Sequence, residues 1–340
     1  MGKKVLVTGG SGFIGSNLVR NLLNRGYNVY NLDILNYASV PDKFKNFTKN
    51  KNYKLFKKSI GDKKIIQDIL KKNKIDGIFN LAAHSHVDRS IDSPEKFISQ
   101  NILSNLSLID QINFFSKKKI FNGKFINIST DEVYGSIEKK ASDENFPLLP
   151  NSPYSASKAS IDHIIRSYNK TFGLPFVNIR CCNNYGEYQF PEKFIPTIIL
   201  RLLNNLEVPV YGDGLNKREW IHVNDFCDAI ELIFKRGKIN NIYNVGSGYR
   251  ISNLFLIKKI QNICVKKFKI KISKNYIKYV KDRPGHDHAY KINSQKLRKN
   301  LNWRTKISLN DGLENTISWF IKNYKWLKYT KQKYTGERLG

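Results

Sequence analysis

The sequence predicts an α/β fold, a doubly wound parallel sheet with a smaller, partly interleaved C-terminal lobe for substrate. Strand-like and helix-like segments alternate through the first half, which is typical of a parallel sheet covered by helices on both faces. Beyond about residue 180 this alternation loosens, and 340 residues with 41% hydrophobic content can bury a large and a smaller core. We predict a first domain over residues 1–180, to which about 223–244 return, and a substrate-binding lobe over 181–340.

The first strand-like run, Lys3–Thr8, leads into the motif Gly10-x-Gly12-x-x-Gly15 and then into a helical pattern. Such glycines let the backbone turn tightly and approach a pyrophosphate, while the helix N-terminus faces the negative charge. A glycine-rich turn by itself is also found in ordinary loops. The strand before it and the helix after it favour a dinucleotide site of the Rossmann type.

The second strand, Asn28–Asp33, ends in a carboxylate about 20 residues after the glycines, the position at which a ribose diol is bound. Asp33 would repel a 2′-phosphate, and the following Ile34 and Leu35 supply no cation. The sequence therefore predicts NAD rather than NADP as the cofactor.

Two later strands end at the same edge of the predicted sheet. Asp76–Ala83 finishes in small residues that let a cofactor approach, and Lys124–Ser129 leads into Thr130, Asp131 and Glu132. Open α/β sheets bind ligands at the carboxyl ends of their strands, so we expect these three side chains in the site.

Tyr154 and Lys158 are spaced i, i+4 and therefore lie on one face of a helix. A lysine ammonium beside a phenol, helped by a positive nicotinamide, favours the phenolate. Tyr154 could then take the proton of a hydroxyl while its carbon gives up hydride, and Thr130 could bond the same hydroxyl. The alternatives are a surface helix with a coincidental Tyr and Lys, and a threonine that only caps its strand.

Asp131 and Glu132 add an acid and a base to this pair. Oxidation of a hydroxyl to a carbonyl makes the neighbouring C–H acidic, so a carboxylate can remove that proton. Two adjacent carboxyls in a desolvated site have their pKa values pushed apart, which favours one acid and one base able to remove water. The alternative is a solvated loop or an acid pair at a helix start.

Composition argues against several other classes of protein. The net charge of +30 comes from lysines scattered along the chain; this predicts no nucleic-acid partner, although a basic field should attract a diphosphate. No apolar run approaches the roughly 18 residues of a membrane span, and the N-terminus leads straight into a strand, so we expect a cytoplasmic protein. His84-x-His86 and His286-x-His288 lack the spacing of known metal sites, so we expect no metal. The cysteines form no C-x-x-C pair and are predicted to be reduced: Cys181, Cys182, Cys227 and Cys264.

Over nearly its whole length the chain resembles the extended short-chain dehydrogenases/reductases, and most closely the dTDP-glucose 4,6-dehydratase family. The motifs that carry the resemblance are Thr8–Gly15, Ala82–Ser90, Ser129–Gly135, Tyr154–Lys158, Asn183–Gly186, Arg283–Asp287 and the ending Gly336–Gly340. Two features depart from the family: the stretch between Gly135 and Tyr154 is shorter, and His84 stands where Glu or Gln is expected.

The resemblance implies conversion of dTDP-glucose to dTDP-4-keto-6-deoxyglucose and water, a step toward deoxysugars such as rhamnose. Tyr154, with Thr130 and Lys158, would take the proton of the C4 hydroxyl while C4 gives hydride to NAD; Glu132 would take the C5 proton; Asp131 would protonate the C6 hydroxyl; and hydride would return from NADH to C6. The resemblance also implies a homodimer joined through helices, one of them bearing Tyr154.

The resemblance further assigns two binding sets. The implied cofactor residues are Gly9, Gly12, Phe13, Ile14, Gly15, Asp33, Asn36, Ile60, Asp62, Leu81, Ala82, Ala83, Tyr154, Lys158 and Asn184. The implied substrate residues are Ser85, Thr130, Asn183, Lys193, Tyr211, Arg218, Asn253, Arg283 and His286, with Arg218, Arg283 and His286 on the diphosphate and Tyr211 on the base.

Other activities remain open from the sequence. A UDP-sugar 4-epimerase of the same fold would need Tyr154 and Lys158 but should carry small residues in place of Asp131 and Glu132. A dehydratase acting on UDP-glucose or another nucleotide hexose would differ little, because a hydrophobic pocket discriminates one methyl by only about 1 to 3 kcal/mol. A protein that binds NAD without catalysis, or a basic nucleic-acid binder on this fold, is disfavoured by the intact Tyr, Lys, Asp and Glu set.

Overall fold

The computed structural model describes residues 2–40 and 47–326. The strands are β1 Lys4–Thr8, β2 Asn28–Asp33, β3 Tyr53–Lys57, β4 Gly77–Asn80, β5 Lys124–Thr130, β6 Phe176–Cys181, β7 Asn183–Tyr185, β8 Val208–Tyr211, β9 Lys217–His222, β10 Asn241–Val245, β11 Arg250–Ser252 and β12 Ile277–Val280. The α-helices are α1 Phe13–Asn24, α2 Lys63–Lys72, α3 Val87–Asp92, α4 Pro94–Phe97, α5 Ser104–Lys117, α6 Pro153–Phe172, α7 Phe194–Leu203, α8 Val223–Arg236, α9 Asn253–Phe268, α10 Gln295–Leu301 and α11 Leu309–Lys322. A π-helix, Ile98–Leu103, joins α4 to α5, and a 3₁₀ helix, Asp131–Tyr134, follows β5.

The predicted fold class is confirmed. Seven parallel strands form one sheet in the order β10-β6-β5-β4-β1-β2-β3. The chain moves outward in one direction from β1 to β3 and in the other from β4 to β10, so the strand order reverses between β1 and β4. Ligands bind at such a switch point, at the carboxyl ends of the strands.

The segment after residue 180 contributes to two regions of the molecule. Strand β10 pairs with β6 in the large sheet, and α8 packs against α1. Smaller sheets, β11-β9-β7 and β12-β8, enclose a second core with α7, α9 and α11. The domain boundaries given above stay a prediction, and the motif Gly336–Gly340 lies outside the described residues.

Local sequence sets the two elements that carry the chemistry. Strand β5 is buried from its second residue, with Phe125, Ile126 and Ile128 as its apolar side chains, and it stops where Thr130 turns the chain into the 3₁₀ helix. Helix α6 begins at Pro153 behind a capping box in which Ser152 and Ser155 bond each other's backbone N–H groups. This cap fixes the first turn of α6, which holds Tyr154.

Candidate active site

A cavity of about 590 Å³ runs along the carboxyl edge of the sheet, across the switch point. Most of the predicted residues lie on its wall. From the cofactor set these are Gly9, Gly12, Phe13, Ile14, Gly15, Asp33, Asn36, Ile60, Leu81, Ala82, Ala83, Tyr154, Lys158 and Asn184, and from the substrate and catalytic sets Ser85, Thr130, Glu132, Asn183 and Lys193.

The glycine loop has room for a ligand where a side chain would intrude. Gly9 has φ +67°, which favours glycine, and a Cβ on Gly15 would lie 2.1 Å from the Gly9 carbonyl oxygen. A Cβ on Gly12 would meet only that oxygen, at 3.5 Å. Gly12 lines the cavity and begins α1 without a side-chain cap, so the first N–H groups of the helix are available to an anion.

Asp33 lies at the end of β2, on the wall of the same cavity. Its carboxylate accepts hydrogen bonds from the backbone N–H groups of Ser11, at 2.9 Å, and Leu35, at 2.8 Å. Burial raises the pKa of Asp33, while these two N–H groups lower it. The held carboxylate and the open loop fit the ribose and pyrophosphate of a dinucleotide.

Asp62 is the one implied cofactor residue that does not reach this wall. Its side chain accepts from the backbone N–H of Ile65, at 3.2 Å, and so caps the N-terminus of α2. The cap accounts for an aspartate at this position without any ligand. Its neighbour Ile60 does line the cavity.

Tyr154 and Lys158 both face the cavity, but their electrostatics differ from the expectation. Burial, followed by the charges of Glu132, Cys181 and Asp131, raises the pKa of Tyr154 well above its ordinary value. The Lys158 ammonium donates instead to the backbone carbonyl of β5 residue 128, at 2.7 Å, and burial lowers its pKa. The protein alone therefore favours the neutral phenol, because desolvation outweighs the nearby ammonium.

Thr130 has a double role at the end of β5. Its hydroxyl accepts from the backbone N–H of Glu132, at 3.3 Å, which is the capping role foreseen as the alternative. It also lines the cavity, and its hydrogen bond to Tyr154 lowers the pKa of that phenol. The two functions coexist because a hydroxyl can accept and donate at once.

Asp131 and Glu132 experience different environments. Burial, followed by the charges of Glu132 and Glu219, raises the pKa of Asp131 well above its ordinary value. Burial also raises the pKa of Glu132, but the positive charges of Arg283 and Arg218 lower it. Asp131 is 2% exposed, and its Oδ2 has no hydrogen-bond partner among the described residues. Both pKa values are therefore raised, that of Asp131 strongly, which makes Asp131 the acid of the pair and leaves Glu132 as the candidate base.

Five implied substrate residues lie outside the cavity lining, in the second lobe: Tyr211, Arg218, Asn253, Arg283 and His286. Contacts link them into one group. The Tyr211 and His286 rings are 6.2 Å apart, and the Asn253 N–H donates to Asn216, whose amide is 3.4 Å from His286 Nδ1. Arg218 and Arg283 act on the pKa of Glu132, so this group lies beside the acid pair.

His286 adds no positive charge to this group at neutral pH. Burial, followed by the charges of Arg283 and Arg218, lowers its pKa to about 4. Its Nδ1 lies 2.6 Å from the Asp282 carboxylate. The two arginines and Lys193 therefore supply the cations near Glu132.

Sequence reasoning missed part of the wall, including His84, Gln100, Gln189, Phe190, Glu192 and Trp220. Glu192 is buried and accepts from the Tyr37 hydroxyl at 2.9 Å. Its position next to Lys193 was a usable signal. Gln100 comes from the π-helix, and no local pattern in the sequence marks it as facing the cavity.

Within residues 2–40 and 47–326 no three His, Cys, Asp or Glu side chains are grouped to hold a metal ion. No helix in this part of the chain has the length and apolarity to cross a membrane. All four cysteines are buried and unbridged.

Comparison with known proteins places this geometry in a family. The family model described as GDP-mannose 4,6 dehydratase matches residues 6–316. The dTDP-glucose 4,6-dehydratase of Xanthomonas campestris pv. campestris (strain B100) is 38% identical, over 98% of both chains. The crystal structure of the Streptomyces venezuelae enzyme of that name, with NAD bound, has a TM-score of 0.89 and 37% identity over 96% of this chain and 99% of its own. The crystal structure of the Bacillus anthracis enzyme in complex with NAD has a TM-score of 0.87 and 36% identity, over 96% of this chain and 99% of its own. This chain therefore belongs to the dTDP-glucose 4,6-dehydratase family of extended short-chain dehydrogenases/reductases.

Proposed function

We propose that this protein is an NAD-dependent lyase that converts dTDP-glucose to dTDP-4-keto-6-deoxyglucose and water. The observation that carries the proposal is the buried acid pair beside Tyr154, in which the pKa of Asp131 is raised well above its ordinary value while Arg283 and Arg218 oppose the rise in the pKa of Glu132. Relatives of that name, 38% identical over almost the whole chain, support the same assignment.

The cofactor would be held by the glycine loop and Asp33. The uncapped N-terminus of α1 would bind the pyrophosphate, and the Asp33 carboxylate would accept from a ribose diol. When bound, NAD supplies a hydride acceptor at C4 of the sugar and a hydride donor at C6.

Tyr154 would remove the proton of the C4 hydroxyl, assisted by its hydrogen bond with Thr130. Because the protein alone raises the pKa of this phenol, its deprotonation depends on positive charge that arrives with the ligands. Lys158, fixed on the carbonyl of residue 128, would orient the cofactor ribose beside it.

Glu132 would take the proton from C5 once C4 is a carbonyl, since the neighbouring carbanion is then delocalised. Asp131 would donate its proton to the departing C6 hydroxyl, which leaves as water. After hydride returns to C6, Glu132 would give a proton back to C5. The raised pKa of Asp131 suits the acid, and the positive charges of Arg283 and Arg218 support the carboxylate form of Glu132.

The nucleotide end would lie against the second lobe. Arg218 and Arg283 would bind the diphosphate, whose geometry suits guanidinium groups, and Tyr211 would contact the base. Lys193 is on the cavity wall and donates to the Ser85 carbonyl at 2.5 Å, so it would stand at the sugar end.

An epimerase is the weaker candidate. Inversion at C4 needs a base and a sugar that can rotate, and it has no use for a buried carboxylic acid. Asp131 is buried, and its Oδ2 has no hydrogen-bond partner within residues 2–40 and 47–326, which carries a free-energy cost that water elimination would explain and epimerisation would not.

We further propose a homodimer. Helices α5 and α6 and the π-helix that precedes α5 pack on one another and expose large apolar side chains: Ile98 and Leu103 on the π-helix, Phe114 on α5 and Phe172 on α6, at 44 to 60% exposure. Leu103→Lys should convert a species of twice 39.4 kDa to one of 39.4 kDa in light scattering. Leu206→Lys, at an exposed leucine of the other lobe, is the control and should leave the mass unchanged.

We also propose that residues 1–180, with about 223–244, form the cofactor domain and that 181–340 form the substrate lobe. The placement of β10 and α8 against β6 and α1 supports this division. A cytoplasmic location is supported by four unbridged, buried cysteines.

The test is incubation of the enzyme with dTDP-glucose, UDP-glucose and GDP-mannose separately in heavy water, with mass and NMR analysis of the sugars. We expect loss of water and deuterium at C5, with dTDP-glucose preferred over UDP-glucose by about 10- to 200-fold. Inversion at C4 without loss of water would replace the proposal by an epimerase.

Tyr154→Phe should lower kcat by about 100-fold or more, because the phenol that exchanges the proton is lost. Tyr168→Phe removes a hydroxyl from the same helix about four turns away and should leave kcat unchanged. Equal losses in the two variants would contradict the role of Tyr154.

A further inference from the structure

Asp88 connects two residues of the implied nucleotide site. Its Oδ1 accepts a hydrogen bond from Arg283 Nη1 at 3.2 Å, and its Oδ2 accepts one from the Tyr211 hydroxyl at 3.2 Å. One carboxylate oxygen thus binds Arg283, which is expected to contact the diphosphate, and the other binds Tyr211, which is expected to contact the base. No sequence motif pointed to Asp88 in this capacity.

The three residues come from different lobes. Asp88 is in α3, which follows β4 of the large sheet. Tyr211 ends β8, and Arg283 follows β12, the parallel partner of β8. Asp88 is 8% exposed, so its contacts are largely shielded from water and join the two lobes at the site.

Asp88 uses only one of the nitrogen atoms of the Arg283 guanidinium. A guanidinium has five N–H donors in a rigid fork, and here Nη1 is the one on the carboxylate. Its Nε is buried and has no hydrogen-bond partner among the described residues. An unpaired buried donor is costly, and an anion on that edge would satisfy it.

The positive charge of Arg283 also reaches the chemistry, since it lowers the pKa of Glu132. A carboxylate that fixes the rotation of this guanidinium therefore fixes one edge toward the ligand. The same carboxylate keeps the Tyr211 ring in a constant orientation, 6.2 Å from the His286 ring.

We propose that Asp88 is a positioning residue for the nucleotide diphosphate, which presents Arg283 and Tyr211 to the ligand in a preformed geometry. The inference rests on the proposed dTDP-sugar activity. The alternative predicts the opposite change in affinity. If Asp88 mainly repelled the diphosphate, removal of its negative charge would tighten binding of the nucleotide. The direction of the change in affinity decides between the two.

The experiment measures the Kd of dTDP by calorimetry on NAD-loaded enzyme, and kcat and KM with dTDP-glucose. The variants are Asp88→Asn, which keeps an acceptor oxygen without the charge, and Asp88→Ala, which removes both. Asp92→Asn is the matched control, because it removes the same charge from an exposed position on the same helix. Arg283→Lys is made alone and together with Asp88→Ala.

We expect Kd and KM to rise about threefold for Asp88→Asn and about tenfold for Asp88→Ala, with kcat within twofold and Asp92→Asn like wild type. In the double variant, Kd for dTDP should rise by a factor much smaller than the product of the factors for the two single variants, because Asp88 acts through Arg283.

Tighter dTDP binding by Asp88→Asn would overturn the inference in favour of repulsion. An unchanged Kd would overturn it as well. So would a fall in kcat as large as the rise in KM, because a merely structural role weakens binding and slows turnover together. If wild-type enzyme turned over a different nucleotide sugar and did not bind dTDP, the proposed function would fail first and this inference with it.

Discussion

Alanine substitutions at Gly12 and Gly15 separate two functions of the glycine loop. Both positions lie on the cavity wall in the same turn, and both substitutions add one methyl group. A Cβ added at Gly15 would lie 2.1 Å from the Gly9 carbonyl oxygen and 2.7 Å from Gly10 Cα. A Cβ added at Gly12 would have 3.5 Å to its nearest neighbour, which is ordinary contact.

The expected free energies of unfolding follow from these distances. Overpacking against backbone costs about 3 kcal/mol, because no side chain can move aside, and replacing a helical glycine returns about 1 kcal/mol. Gly15→Ala should therefore lose about 2 kcal/mol. Gly12 has φ −77°, which alanine also adopts, so in Gly12→Ala a small capping loss and a similar gain from the stiffer unfolded chain leave about 0 kcal/mol.

NAD affinity should respond differently from stability. The methyl group introduced by Gly12→Ala would have only the Gly9 carbonyl oxygen within 4 Å and would lie on the cavity wall at the start of α1, where we propose that the pyrophosphate binds, so we expect Kd for NAD to rise by tenfold or more. Urea denaturation without NAD gives the stabilities, and calorimetry gives the affinities. Equal stability losses in the two variants, or an unchanged Kd in Gly12→Ala, would refute the reasoning.

Three further predictions concern proton transfer and pH. Asp131→Asn and Glu132→Gln should each lower kcat by about 10²- to 10⁴-fold, and only Glu132→Gln should also abolish deuterium uptake at C5; full uptake in that variant would assign the base elsewhere. The kcat of the wild type should fall as pH rises through the raised pKa of Asp131, which must be protonated, and as pH falls through that of Glu132, which must be ionised; a profile with neither an acidic nor a basic limb would contradict both roles. Burial, followed by the charge of Lys193, lowers the pKa of His86 from 6.5 to about 3. Because the unfolded chain binds this proton more readily, the free energy of unfolding falls as pH decreases from 6.5 toward 3. This amounts to about 2 kcal/mol by pH 5, and His86→Asn, compared in urea melts, should lack that part of the loss.

The strand ends were predictable because they depend on local patterns. An apolar run that stops at a polar residue marks the end of a buried parallel strand, and the carboxyl ends of such strands meet at one edge. Asp33 and Thr130 were both predicted to lie at that edge, and both line the cavity. The i, i+4 spacing of Tyr154 and Lys158 likewise put both on the cavity side of α6.

The pKa values of the catalytic side chains were less predictable, because they depend on burial and on all the charges around each group. From the spacing alone, Lys158 should have lowered the pKa of Tyr154, yet desolvation and two carboxylates raise it. The sequence predicted that the pKa values of Asp131 and Glu132 would differ, but not which of the two would be higher. The direction of the difference came from Glu219 on one side and from Arg283 on the other, which are distant in sequence.

The sequence by itself determined the parallel sheet, the glycine loop and the place of Asp33 at the end of its strand, because each follows from spacing of a few residues along one element. The catalytic roles of Thr130, Asp131, Glu132, Tyr154 and Lys158 stay a prediction. Only the tertiary structure decided that His286 is neutral and that Asp88 joins Arg283 to Tyr211. Those outcomes depend on burial and on contacts between lobes more than a hundred residues apart, and no local pattern encodes them.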